Sequence, residues 1–193
     1  MEVRILQEEE LENAAGLSQY VFEACLKSRM EFEQTSAFVE EYLKAENLIR
    51  LCREGRLTIW GRFEENQLVA VAGLQSDGLI TMLYVLPQCM GRKYGNELLC
   101  AMREYAQDTY GYDKVMVNAT PASTSSYFAS QGFSYAFPQQ MMQVPFVAME
   151  AYSRDIGLFK KKHVPGKVIG LSILGCFLFA TILAVAYMVF YIQ

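Results

Sequence analysis

The sequence predicts an α/β domain built on a mixed sheet (α+β), followed by one transmembrane helix. Two observations predict this organisation. Short apolar segments alternate with amphipathic segments over residues 1–152, and residues 168–192 contain no charged residue. A chain of 193 residues has room for one compact domain and a short appendage. We therefore expect the domain at residues 1–152, a basic juxtamembrane linker at 153–167 and the membrane span at 168–192.

Charge divides the chain at the same places. Residues 1–150 carry 20 acidic and 12 basic residues, whereas residues 151–167 carry five basic residues and one acidic residue. An acidic domain argues against nucleic acid as a partner. Five irregularly spaced cysteines are typical of a reduced, cytosol-facing chain. The one histidine, His163, lies in the linker, so the domain lacks a histidine-based zinc site or a Ser–His–Asp triad, and we expect no metal.

The apolar run at residues 168–192 would be roughly 37 Å long as a helix, against a hydrocarbon core of about 30 Å. A buried core helix is the alternative, but core helices this long without a charge are rare. The preceding lysines predict, by the positive-inside rule, that the N-terminal domain faces the cytoplasm. Small residues at every fourth position are compatible with a homodimer through this helix, and coincidence is an equal alternative. These residues are Ser172, Cys176, Ala180 and Ala184.

The first part of the domain is predicted to contain one strand and two helices. Val3–Leu6 is a short apolar strand. The carboxylates of Glu8–Glu12 suit the positive end of a helix dipole, so they begin the first helix. The second helix begins near Ser36, whose hydroxyl can cap it, and ends at Gly55.

The second part is predicted to contain six strands and two helices. Leu57–Phe63 and Leu68–Leu74 flank a short polar turn and form a hairpin. Leu79–Leu86 is apolar on both faces, which predicts a central strand. The remaining elements are a helix at 91–109, a strand at 115–117, a helix at 122–130 and strands at 133–136 and 144–150. The predicted order is therefore β-α-α-β-β-β-α-β-α-β-β.

Two segments carry chemistry, and the first is a loop between a strand and a helix. Leu79–Leu86 runs into a loop that contains Gly91 and Gly95, and a helix follows. A helix N-terminus presents unpaired backbone N–H groups and the positive end of the dipole, which both suit a phosphate. The glycines let the backbone approach an anion, while Arg92 and Lys93 add positive charge. An ordinary turn with solvated bases is the alternative.

The second segment runs from Val117 to Phe133. It contains a strand end, Asn118, a proline turn, a short helix and Gly132. Alone, this is also the pattern of an ordinary strand–helix–strand connection. Together and in this order, the two segments resemble the GNAT superfamily of acyl-CoA-dependent N-acyltransferases, and the resemblance covers about residues 2–152.

In that family the first segment is the pyrophosphate loop, written Arg/Gln-x-x-Gly-x-Gly/Ala. Here it reads Met90-Gly91-Arg92-Lys93-Tyr94-Gly95. The last glycine matches Gly95. The family's opening residue is replaced by Met90, and its earlier glycine is replaced by Lys93.

The second segment is similar to the family's Asn-Ala-Ser-Pro…Phe-Tyr-x-x-x-Gly-Phe pattern. Asn118–Pro121 and Gly132-Phe133 match it. The family often has a tyrosine, four residues before that glycine, which protonates the leaving thiolate. Phe128 stands at that position here, and Tyr127 is its neighbour.

The resemblance implies a GNAT-like mixed sheet splayed at one point, with acetyl-CoA as co-substrate and an unknown small-molecule or protein amine as acceptor. Direct attack of an amine on the thioester needs a base, donors for the oxyanion and an acid for the thiolate. Tyr127 and Tyr84 are the candidate catalytic residues. The implied cofactor-binding residues are Tyr84, Val85, Leu86, Gly91, Arg92, Lys93, Tyr94, Gly95, Asn96 and Asn118. The departures at Met90, Lys93 and Phe128 keep one alternative open, a catalytically inactive, membrane-bound CoA-sensing or scaffold module.

Overall fold

The computed structural model describes residues 2–30, 36, 38–136 and 146–156, and these form an α/β domain. The strands are β1 (Glu2–Ile5), β2 (Leu57–Glu64), β3 (Gln67–Gln75), β4 (Leu79–Val85), β5 (Lys114–Ala119), β6 (Ser134–Tyr135) and β7 (Val147–Tyr152). The helices are α1 (Leu11–Cys25), α2 (Ala45–Arg53), α3 (Tyr94–Tyr110) and α4 (Ser125–Ser130). This element order agrees with the prediction.

The seven strands of the described residues form one mixed sheet in the order β1-β2-β3-β4-β5-β7-β6. Strands β4 and β5 pair in parallel, whereas each other neighbouring pair is antiparallel. The central position predicted for the apolar strand is confirmed, because β4 is fourth of the seven strands. The prediction of a mixed sheet is confirmed as well.

Apolar side chains bury both faces of the sheet. One core joins α1 and α2 to the sheet through residues such as Phe22, Leu48 and Met82. The other core joins α3 and α4 to the opposite face through residues such as Leu98 and Phe128. The helices thus form two layers, one on each face of the sheet.

One predicted helix is divided in two, and the start of another is wrong. The predicted second helix is divided into a π-helical turn at Val39–Leu43 and α2, because the backbone of Lys44 between them is extended (ψ 132°). Its predicted end is confirmed, since Gly55 adopts a left-handed conformation just past α2. The helix predicted from residue 91 begins instead at Tyr94, for a reason described below.

The C-terminal predictions fall on residues that the structure does not describe. The membrane span at 168–192, its small-residue stripe and residues 157–167 of the linker lie outside the described residues. Within the described ranges, no helix is both long enough and apolar enough to cross a bilayer. The domain boundaries stay predictions.

Candidate active site

Strands β4 and β5 part soon after they begin to pair. Their parallel pairing joins Leu79 to Met116 and Ile80 to Val117, although β4 continues to Val85 and β5 to Ala119. Beyond Ile80, the edge of β4 that faces β5 has no strand partner among the described residues. This opening exposes a row of backbone N–H and C=O groups in the centre of the sheet, where an extended ligand can pair with them.

A β-bulge lies at the point where the strands part. Gly73 of β3 pairs with Met82 and Leu74 pairs with Ile80, so Thr81 is an extra residue in β4. A bulge increases local twist and interrupts pairing. The bulge thus explains why β4 turns away from β5 at this residue.

The loop after β4 leads directly to the start of α3. Gly91 has a φ of +81°, and Lys93 has a φ of +67° with a ψ of 11°. Both residues are therefore left-handed, a conformation that favours glycine. The left-handed turn at Lys93 delays the helix until Tyr94. It also shows why a glycine suits the position that Lys93 occupies.

The first turn of α3 keeps donors available for a ligand. No side chain of the described residues caps this helix. Its first intrahelical bond runs from the Asn96 N–H to the carbonyl oxygen of Lys93, at 2.9 Å, which leaves the amides of Tyr94 and Gly95 ahead of the helical ladder. The side-chain Oδ1 atom of Asn96 is buried and meets no hydrogen-bond donor among the described residues. These two amides and the Asn96 side chain are therefore polar groups with which a ligand can form hydrogen bonds.

Gly95 lies at a close approach between α3 and α4. A Cβ atom at this position would lie 2.5 Å from the hydroxyl oxygen of Tyr127 and 3.8 Å from Cγ2 of Val85. No larger residue fits while Tyr127 keeps its position. The sequence predicts that Gly95 permits a close approach to an anion, and the structure adds a second reason for this glycine.

Tyr127 and Phe128 point in different directions from α4. Phe128 is buried and packs edge-on against Phe133, with ring centroids 5.5 Å apart. Tyr127 is 38% exposed, and its hydroxyl reaches α3 at Gly95. Partial burial, reinforced by the neighbouring Cys100, raises the pKa of Tyr127 to about 12. Tyr127 is therefore a neutral phenol at neutral pH, and its catalytic role stays a prediction.

Tyr84 contributes its backbone to the opening but not its side chain. The side chain packs in the core on the α1 and α2 face and is 6% exposed. Burial raises the pKa of Tyr84 above its ordinary value. Val85 packs with the opposite core, as expected for the next residue of a strand. The catalytic role of Tyr84 also stays a prediction.

The remaining predicted cofactor-binding residues surround this opening. The Leu86 N–H donates to the carbonyl oxygen of Val69 at 3.0 Å and so ties the loop to β3. Asn118 lies near the end of β5, opposite Ala148 of β7. The exposed guanidinium of Arg92 lies 3.1 Å from the Glu64 carboxylate, so in this structure it faces an acid.

Sequence reasoning missed Arg62, a buried cation of β2. It is 2% exposed, and its Nε atom donates to the Glu97 carboxylate at 2.6 Å. Its guanidinium also lies over the Tyr94 ring, 4.2 Å from the centroid, and donates to the Phe63 carbonyl. The signal was present as a charge inside the apolar strand LTIWGRF, but its partners on α3 are not visible from sequence.

The comparisons with known proteins point to one family. The model of the acetyltransferase (GNAT) domain matches residues 17–153, which is more than half of the chain. No curated protein gives a significant match to the sequence.

Solved structures share this fold at low sequence identity. A GCN5-related N-acetyltransferase from Rhodopseudomonas palustris is 19% identical, with a TM-score of 0.68 over 78% of this chain and 94% of that chain. The PaiA N-acetyltransferase of Thermoplasma acidophilum, solved with coenzyme A, is 18% identical, with a TM-score of 0.62 over 79% and 99%. A ribosomal-protein-alanine N-acetyltransferase from Brucella melitensis is 17% identical, with a TM-score of 0.54 over 79% and 99%. At these identities the likeness concerns the fold, and together with the family match it shows that this chain belongs to the GNAT acetyltransferase domain family.

Proposed function

We propose that this domain is an acetyl-CoA-dependent N-acetyltransferase that acts on an amine. The observation that carries the proposal is the opening between β4 and β5, which leads to an uncapped helix N-terminus at Tyr94. Membership of the GNAT family supports the reaction class. The coenzyme A in the structure of the Thermoplasma relative supports the cofactor.

The residues present fit coenzyme A. The amides of Tyr94 and Gly95 and the positive end of the α3 dipole suit a pyrophosphate. The free backbone edge of β4, up to Val85, suits the amide groups of a pantetheine arm. The buried Oδ1 atom of Asn96 is an acceptor for a donor that the described protein does not supply. We therefore assign the cofactor to this opening.

Acetyl-CoA supplies a thioester that an amine can attack directly, with release of the CoA thiol. The bulge at Thr81 turns the β4 backbone at the start of the opening, where N–H groups can stabilise a developing oxyanion. The Tyr84 side chain lies in the core, and Tyr127 is a neutral phenol at neutral pH, so neither residue serves as a base for the amine. The acceptor amine is therefore expected to lose its proton to water or to arrive neutral.

Calorimetry and a thiol-release assay on the full-length protein test this proposal. We expect acetyl-CoA to bind and at least one member of a panel of amines, including polyamines and peptide N-termini, to give thiol release. Binding without release for every amine would favour the CoA-sensing or scaffold module, which the lysine at position 93 and the buried Phe128 also favour. No binding would contradict the cofactor assignment itself.

We further propose that a C-terminal helix anchors this domain to a membrane with the domain in the cytoplasm. The support comes from the sequence, where the uncharged run at 168–192 follows a linker with five basic residues. Alkaline carbonate washing should leave the full-length protein in the membrane pellet. Protease added outside intact cells should leave the domain uncut, and cleavage there would contradict the orientation.

A further inference from the structure

Strand β2 contacts the start of α3 and the loop before it through two ion pairs. In one pair the strand contributes the basic residue, and in the other it contributes the acidic residue. The first pair joins Arg62 to Glu97 at 2.6 Å, and the second joins Glu64 to Arg92 at 3.1 Å. Each strand residue thus faces an opposite charge on the loop or on the first turn of the helix. Tyr94, the first residue of α3, lies beside the first pair, because the Arg62 guanidinium stacks on its ring at 4.2 Å from the centroid.

We propose that β2 sets the affinity of the α3 N-terminus for the phosphates of the cofactor through these two pairs. This inference rests on the proposed function, since it takes the loop as the phosphate site. Arg62 is a positioning residue that neutralises an acid beside the site. Glu64 competes with the phosphate, because it pairs with a cation of the loop.

The role of Arg62 follows from the place of Glu97. A carboxylate in the first turn of a helix lies at the positive end of the dipole, where a phosphate also binds. An uncompensated Glu97 would repel that phosphate. The buried guanidinium of Arg62 cancels this charge from beneath the helix, and its stacking on Tyr94 fixes the first residue of α3.

The role of Glu64 follows from its hold on Arg92. The Arg92 guanidinium approaches both oxygens of the Glu64 carboxylate, at 3.1 and 3.2 Å. First the hydrogen bond with Tyr94 and then the charge of Glu64 raise the pKa of Arg92. A phosphate on the loop has to share Arg92 with Glu64 or displace it. Loss of the Glu64 charge therefore frees a cation for the ligand.

The first test measures coenzyme A binding to the full-length protein by calorimetry at low and at high salt. We expect Glu64→Gln to tighten binding about threefold at low salt, as an exposed ion pair of this kind allows. At about 0.5 M salt the gain should largely vanish, because the charges are screened. Glu8→Gln is the matched control. It removes an exposed carboxylate that lies 2.6 Å from Arg53, away from the loop, and it should leave the affinity unchanged.

The second test separates the charge of Arg62 from its packing. We expect Arg62→Met to weaken binding roughly tenfold at low salt, and we expect Glu97→Gln in the same chain to recover most of that loss. A purely structural role would give no recovery and the same loss at both salt concentrations. If Arg62→Met does not fold, Glu97→Gln alone replaces it and should tighten binding about threefold, because the Arg62 charge is then uncompensated.

The outcomes distinguish this inference from the proposed function. If the unaltered protein does not bind coenzyme A, the proposed function fails and this inference fails with it. If it binds while Glu64→Gln matches the Glu8→Gln control, only the role of the Glu64–Arg92 pair is overturned. If Glu97→Gln recovers nothing in the Arg62→Met chain, the charge role of Arg62 is overturned.

Discussion

The 3-10 turn that leads into α1 and the start of α3 are built in opposite ways. The 3-10 turn before α1 has a capping box in which the Gln7 N–H donates to the Glu10 carboxylate at 2.9 Å. Arg4 donates to the same carboxylate through two bonds of 2.7 Å. The start of α3 has a lysine in left-handed conformation and, among the described residues, no side-chain cap, and the amides of Tyr94 and Gly95 precede the helical hydrogen bonds.

The difference separates a helix end that is satisfied within the chain from one that we propose binds a ligand. At α1, the acids Glu8–Glu10 satisfy the positive end of the turn from within the chain. At α3, the acid of the first turn is paired with a buried arginine, which in the proposed site leaves the positive end of the helix for an outside anion. A loop of glycines and basic residues indicates an anion site more strongly when the helix that follows it has no side-chain cap.

The largest expected effect on cofactor affinity comes from adding a side chain at the start of α3. Gly95→Val should weaken coenzyme A binding at least tenfold, or about 1.4 kcal/mol, because a side chain there would fill the space beside the loop amides and displace the Tyr127 hydroxyl, which its Cβ would meet at 2.5 Å. Gly16→Val in α1 is the matched control, since a Cβ there meets nothing within 4 Å. Calorimetry on folded protein measures both. Equal affinities in the two variants would contradict the assignment of the loop.

The capping box before α1 can be tested by measuring stability at low pH. Arg4 first, and then the Gln7 N–H, lower the pKa of Glu10 from 4.5 to about 2. Because the folded-state value lies below the unfolded one, this carboxylate stabilises the fold above pH 4.5 and loses that effect as the pH falls toward 2. The pair is close to solvent, so we expect about 1 kcal/mol after screening.

Chemical denaturation of the full-length protein and of Glu10→Gln across this pH range measures that effect. The stability difference between them should shrink as the pH falls from 5 to 2, and coenzyme A binding at neutral pH should not change. Glu9→Gln is the control, since Glu9 makes no ion pair within the described part of the chain. A constant difference across the range would show that the Arg4–Glu10 pair does not act through charge.

A substitution of Lys93 tests the backbone conformation at the start of α3. Lys93→Gly should stabilise the protein by roughly 0.5–1 kcal/mol, because glycine adopts the left-handed conformation without strain but loses more freedom on folding. That corresponds to a rise in Tm of about 2 °C for a domain of this size. Asn66→Gly is the control, a left-handed residue of the β2–β3 turn away from the loop. A fall in Tm for Lys93→Gly alone would show that the lysine side chain stabilises the loop.

The sequence predicts the order of elements and the position of the loop, because both depend on local signals. Alternation of apolar residues marks the strands, and glycine or proline marks the ends, as at Gly55. The break at Lys44 was missed because capping at Ser36 and an apolar face fit a longer helix equally well. Nothing in the local sequence decides between one long helix and two shorter ones.

The site was less predictable because it depends on distant contacts. Arg62 and Glu97 are 35 residues apart, and the contact between Tyr127 and Gly95 joins two helices that only the fold brings together. The left-handed Lys93 was visible only as a departure from a family pattern. The sequence therefore predicts the loop before α3, whereas the charged residues that contact this loop are visible only in the folded structure.

Tyr127 gives the smallest expected effect. Its hydroxyl lies against Gly95 near Val85, whereas β4 and β5 part after Ile80, about 16 Å earlier along the strand. A thioester placed near the bulge is beyond its reach, and a thiolate can leave without an acid because free thiols titrate near 8.5. We therefore expect Tyr127→Phe to change turnover less than about threefold. A loss on the order of 10²–10⁴ would identify Tyr127 as the general acid. Phe128→Tyr is the companion variant, and a rise in its turnover would show that the family position, rather than Tyr127, carries that role.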